Sequence, residues 1–308
     1  VIEEQGGKAM PTFDTPGPIS ANLELGAGRM RIVAGDRHDT VVEVRPTDPA
    51  KRADVAAAEA TRIDYSGNRL VVKTPKGWWQ YALWNPAESV DVLVELPAGS
   101  EVRVAAGVVT IDCDGPLGRC RFRTGAGTTR VADAGSVDVH VGAGDVTVER
   151  AGGPVSVTTG SGAVDLGRVT AATVKNANGD TRIGEATGAV RVSGANGAIT
   201  VGRALDSVVA RTANGDIRLH QVGHGSVQAD TAFGTLDIGV RDGVAAWLDL
   251  HTHHGTVHND LEAIGRPGPA DDKVKVRART AMGDITITRV VADPAGAAAA
   301  AVAGEGAA

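Results

Sequence analysis

The chain has 308 residues, a net charge of −6, 41 glycines and only 3% aromatic residues. So few large side chains cannot fill the thick core of a globular enzyme, and the absence of a basic block removes the electrostatic footprint of a nucleic-acid binder. No run approaches the ~20 apolar residues of a membrane span.

Residues 1–18 read as a flexible extension. The opening VIEEQGGKAM is polar and acidic and lacks the basic start and apolar stretch of a secretion signal. The expectation is therefore a cytoplasmic protein, with Met10 as an alternative start. Residues 19–106 read as irregular coils and a cap. Gly28-Arg29-Met30-Arg31-Ile32 starts the sheet, and Thr40 to Val44, Arg69 to Lys73 and Val90 to Leu96 continue it. Pro49 to Arg62 is a helix candidate, with Asp48 as its N-cap ahead of Pro49. Its expected role is to cover the open end of the sheet. The loop Lys76 to Pro86 holds Trp78, Trp79 and Trp84, three of the four tryptophans, together with Tyr81. Rings gathered in a chain otherwise poor in them serve as an end plug or as an anchor for a partner. Trp84 reads as plug and the Trp78–Trp79 pair as partly exposed.

From residue 107 to 291 one phrase, G-x-[VIL]-x-[VIL], recurs every 17 to 21 residues, at Gly107, Gly127, Gly144, Gly162, Gly179, Gly197, Gly215, Gly234 and Gly255. A tenth follows at Gly283 after a spacing stretched to 28. Thr129, Thr181 and Asn259 are the departures at the apolar slots. Half a period away, alternating triplets such as Val155-x-Val157-x-Thr159 and Val208-x-Ala210-x-Thr212 mark a second strand. A repeat this short must bury its apolar face on its neighbours. The pattern predicts an all-β parallel solenoid of about ten 18-residue coils, two strands to a coil. The Ala- and Gly-rich tail 292–308 reads as disordered.

Stacking turns repeats into columns. Thr124, Thr159, Thr212, Thr231, Thr252 and Thr280 share one, and Asn178, Asn196 and Asn214 share another just before the phrase glycine. Glycine and asparagine tolerate the left-handed angles of a sharp corner, and stacked amides can bond from coil to coil. Outward slots alternate in charge: Asp165 precedes Arg182, and Arg218 precedes Asp237 and His258. Cys120 takes the inward slot of Val137 and Val155, and Cys113 falls with Asp133, Arg150 and Arg168 in a turn column.

Candidate chemistry is sparse. His251, His253, His254 and His258 lie close enough in sequence to suggest a zinc or nickel site, but no cysteine joins them. Asn178-Gly179-Asp180, Asn214-Gly215-Asp216 and Gly283-Asp284 resemble calcium β-roll corners, yet Ala163 and Ala198 hold the acidic slot in alternate coils. The carboxylates Asp145, Asp165 and Asp180, which a carbohydrate-active β-helix would gather, are spread over different columns. No cofactor, no metal and no catalytic residue is expected.

With these phrases, Val90-x-Val92-x-Val94-x-Leu96-Pro97-x-Gly99 and the stretch from Phe233-Gly234-Thr235 to Trp247-Leu248-Asp249-Leu250, the chain resembles a bacterial β-strand-repeat family. That family has no agreed function; it is often labelled “putative adhesin” and nicknamed toastrack. The resemblance runs from about Ile19 to Arg289. It implies a β-solenoid without catalytic residues, used as a module for assembly or regulation. The expected function is a non-catalytic scaffold that binds a protein partner through Trp78, Trp79, Tyr81 and Trp84. The alternative is a structural protein that stacks on itself end to end.

Overall fold

Alternating sequences give strands with one apolar row, and here the rows of two sheets face each other. In the computed structural model, which describes residues 10–74, 88–261 and 273–291, nearly every described residue outside the turns is extended. A regular coil has one strand after the corner glycine and a second half a period on. Val164 pairs in parallel with Val146 on one side and Thr181 on the other, and Ala172 with Val155 and Val190. These inward side chains are all buried. Each buried Val or Ile contributes ~1.5–3 kcal/mol, so the thin core is stabilised by number rather than by large side chains.

The corner explains the glycines. At Gly179 φ is +131°, and a Cβ would fall 2.2 Å from the carbonyl oxygen of Gly162 in the coil beneath. No side chain fits there. The threonine column serves the same corner. The hydroxyls of Thr231, Thr280 and Thr252 donate to the carbonyls of Gly215, Gly234 and Gly283 at 3.0–3.1 Å. The amide of Asn176, in the same column, donates to Gly162 and Gly179. Asn214 and Asn196 donate to the amide oxygens of Asn196 and Asn178, each at 2.8 Å, forming the expected ladder.

Several expectations are corrected. The phrase at Gly107 is two residues out of frame: Gly127 lies over Val109, and Ile111 pairs with Thr129. An alternating strand satisfies the pattern in either of two frames two residues apart. The same slip misplaces Cys113, which pairs with Val131 and is buried in an inward row, not in the turn column. Cys113 and Cys120 are both free thiols. Burial pushes the Cys120 thiol up to about 12 and raises Cys113 as well, so neither is a ready nucleophile. The strand Glu101–Ala126 runs unbroken through the expected boundary at 106/107.

At the N-terminal end the pairing becomes antiparallel. Asp39–Pro46 pairs with Val90–Pro97, and Arg62–Ser66 with Arg69–Lys73. Within the extension expected to be flexible, Thr12–Asp14 is a strand on Asp39–Val41. The helix spans Arg52–Ala60, with Lys51 and not Asp48 at its N-cap. The Asp48 carboxylate instead accepts the N–H of Ala50 in a local turn. The helix joins the two sheets across the end, and Ala57 and Ala58 enter the shared core. Asp54 is buried, accepts the N–H groups of Asp48 and Ser89, and pairs with Lys51 at 3.0 Å.

The C-terminal end departs most from the linear reading. The strand Gly225–Phe233 pairs with Lys273–Met282, and only then does Lys273–Met282 pair with Ala245–His254. On the other sheet Leu236–Arg241 pairs with Ile285–Val290, which pairs with Val257–Asn259. The chain steps over one coil, forms the end of the stack, and returns to fill the level it skipped. The stretched spacing before Gly283 is that return. His258 consequently faces Thr286 and not Asp237.

Candidate interaction surface

The outward rows carry paired charge. Arg182 meets Asp165 at 3.6 Å and Arg218 meets Asp237 at 3.6 Å on one sheet. On the other, Arg121 meets Asp138 at 3.1 Å and Arg277 meets Asp249 at 2.9 Å. Such exposed pairs contribute ~0–1 kcal/mol each.

The phrase aspartates have a structural occupation. Asp145 accepts the N–H of Ala163, Asp180 that of Ala198, Asp216 that of Thr235 and Asp284 that of Thr256, at 2.7–2.9 Å. Every second coil thus supplies a carboxylate to its neighbour's corner amide, and the neighbour needs none. Ala163 and Ala198 hold their slots for this reason. Hydrogen bonds from Thr235 hold the Asp216 carboxyl below its ordinary range, and those from Thr256 do so for Asp284. A carboxyl lowered on folding stabilises the fold at pH values above its unfolded value of ~3.9, and loses that contribution as pH falls through the folded value. Asp216→Asn should therefore lower the melting temperature at pH 7 and flatten its decline below about pH 4. A pH–melting profile parallel to that of the native chain would refute the role.

The histidines do not converge. His251 and His253 stack edge to face with ring centroids 4.9 Å apart, and among the described residues no three ligand-type side chains gather. Asp249, on the same outward row as His251, is engaged by Arg277 and by Arg279 at 3.7 Å. Trp78, Trp79, Tyr81 and Trp84 lie outside the described residues. At the N-terminal end the described aromatic contact is Phe13 on Tyr65, centroids 5.1 Å apart, bridging the edges of the two sheets.

A different apolar set is exposed at the far end. Phe233 is 54% exposed, Met282 50%, Trp247 54% and Val257 43%, all in the last three coils. Phe233 and Met282 continue the column that holds Asn178, Asn196 and Asn214. The Lys275 ammonium lies 4.6 Å over the Trp247 ring. The sequence expectations do not include these residues, though a Phe and a Met succeeding three asparagines in one outward column is a legible signal. No described helix is long and apolar enough to cross a membrane.

Comparison with solved structures finds low-identity likenesses. A Bacteroides fragilis protein described as a “putative adhesin” is 12% identical, covers 94% of this chain and all of its own, and has a TM-score of 0.37. A Parabacteroides distasonis “putative lipid binding protein” is 9% identical, covers 94% and 99%, and scores 0.31. A Clostridium sporogenes “putative cell adhesion protein” is 9% identical, covers 92% and 99%, and scores 0.21. Among curated proteins no match was found. The family model Toastrack DUF4097 matches residues 27–288, most of the chain, and the chain belongs to that family.

Proposed function

We propose that the chain is a non-catalytic interaction module that binds a protein partner. The observation that carries this reading is the occupation of the phrase carboxylates: Asp145, Asp180, Asp216 and Asp284 each hold a backbone amide of the adjacent coil. Groups so engaged are not poised for acid–base work, and the remaining surface is a long, regular array suited to recognition. Trp78, Trp79, Tyr81 and Trp84 are the proposed partner contacts, because aromatic anchors supply much of an interface's energy. The test is affinity capture with the native chain and with a Trp78→Ala/Trp79→Ala variant of unchanged melting temperature. Recovery of a partner by the native chain and its loss with the variant supports the reading. Turnover on a glycosidase or esterase panel, abolished by one carboxylate substitution, would overturn it.

A further inference from the structure

The two ends of the stack are built differently. At the N-terminal end the edge strands are short, Thr12–Asp14 and Arg62–Ser66, and the helix and the Phe13–Tyr65 contact close the gap between the sheets. Short, charged, helix-covered edges resist further pairing. At the other end the ten-residue strand Ala245–His254 has, among the described residues, a neighbour on one side only. Its inward side chains Leu248 and Leu250 are half-buried, whereas Val276 and Ala278, their partners one coil in, are fully buried. A row of N–H and C=O groups that no other described strand pairs, over half-buried leucines, is a template for another strand.

We propose that this edge is the joint of a two-fold homodimer, in which Ala245–His254 pairs antiparallel with the same strand of a second copy and Leu250 faces its own image. A two-fold axis perpendicular to the sheet keeps inward rows over inward rows and makes the pair antiparallel. Centred on Leu250, the pairing runs through residues 246 to 254, nearly the whole strand. It sets Leu248 against the second copy's Thr252, Asp249 against its His251, and Trp247 against its His253. An aromatic pair directly across an antiparallel ladder is favourable, and an imidazole opposite a carboxylate avoids like charge. Centring on Asp249 instead would set two carboxylates face to face, which is unfavourable. The strand is thus complementary to itself when centred on Leu250, which favours a second copy over an unrelated strand. Because the N-terminal edges are blunted, assembly stops at two and does not continue as a filament. This inference is independent of the aromatic loop and of any partner bound there.

Light scattering and sedimentation of the full chain across concentrations, with two cysteine variants, test it. Residues directly opposite in an antiparallel pair lie ~4.5–5.5 Å apart, within disulfide range. Leu250→Cys should therefore form a disulfide-linked dimer under mild oxidation. Thr252→Cys should not, since its image lies four residues along the strand, ~13 Å away. The native thiols are buried and do not compete. Leu250→Lys should be monomeric with a cooperative melt. A native chain that stays monomeric at every concentration would overturn the proposal, whether the edge is covered by the chain's own residues or kept for another protein. So would species that grow beyond the dimer, cross-linking as efficient at residue 252 as at 250, or a Leu250→Lys chain that remains dimeric.

Discussion

Gly179→Ala is expected to cost about 2–6 kcal/mol, the sum of backbone strain of ~1–3 and overpacking of ~1–3. The φ of +131° is one that side-chain-bearing residues rarely adopt, and the added Cβ would lie 2.2 Å from a backbone oxygen that cannot swing away. Relief requires the two coils to part, which breaks the hydrogen bond from the Gly162 N–H to Asn178 and the Asn176 amide bonds beside it. Two controls separate the contributions. Gly243 has φ +78° and nothing within 4 Å of where a Cβ would sit, so Gly243→Ala carries the strain without the clash. Gly152 has neither, and Gly152→Ala should fall within about ±0.5 kcal/mol of the native chain. Urea unfolding of the three variants reads the order directly. Equal stability of Gly179→Ala and Gly152→Ala would mean that the corner does not constrain the fold.

Ile287→Ala is expected to cost about 2–5 kcal/mol, as large-to-small changes in a core do. Ile287 is fully buried because the coil that holds it lies between two others. Val257→Ala, in the coil that ends the stack, should cost far less, since Val257 is 43% exposed. Stacking in chain order would reverse the pair, placing Ile287 at the open end and Val257 inside. Measured unfolding free energies in which Val257→Ala is the more damaging would overturn the observed coil order.

Much of the corner chemistry is legible in the columns. Thr231 and Thr280 fall in one row because each donates to a corner glycine carbonyl, and the asparagine ladder follows from a constant period of about 18. The aspartate row carries more information than its likeness to a calcium corner suggests. Taken in spatial order, Asp145, Ala163, Asp180, Ala198, Asp216, Thr235, Asp284 and Thr256 alternate without exception between acceptor and recipient. In chain order the alternation fails after Thr235, because Thr256 precedes Asp284. That break is the written trace of the exchanged coils. The frame at Gly107 is ambiguous in sequence because Val109, the true corner residue, lacks the glycine that marks the others. The exposure of Val257 cannot be read from local pattern, since it holds an ordinary inward slot and only its place in the end coil leaves it 43% exposed, whereas Trp247 is outward by alternation.

The repeat, the two strands per coil, the inward rows and the glycine corners follow from the chain alone, because they depend on side-chain alternation and backbone angles within about 18 residues. Which coil lies against which emerges only from the packed fold. Opposite Val274, Val276, Ala278, Ile285 and Ile287, all fully buried, the segment from 245 to 259 sets Ala246, Leu248, Leu250, Val257 and Asn259. The polar difference is Asn259, which loses least where the stack ends and water reaches it, while Ile287 gains from neighbours on both sides. The chain therefore returns past its own end coil, which buries Ile287 and leaves Asn259 at the edge.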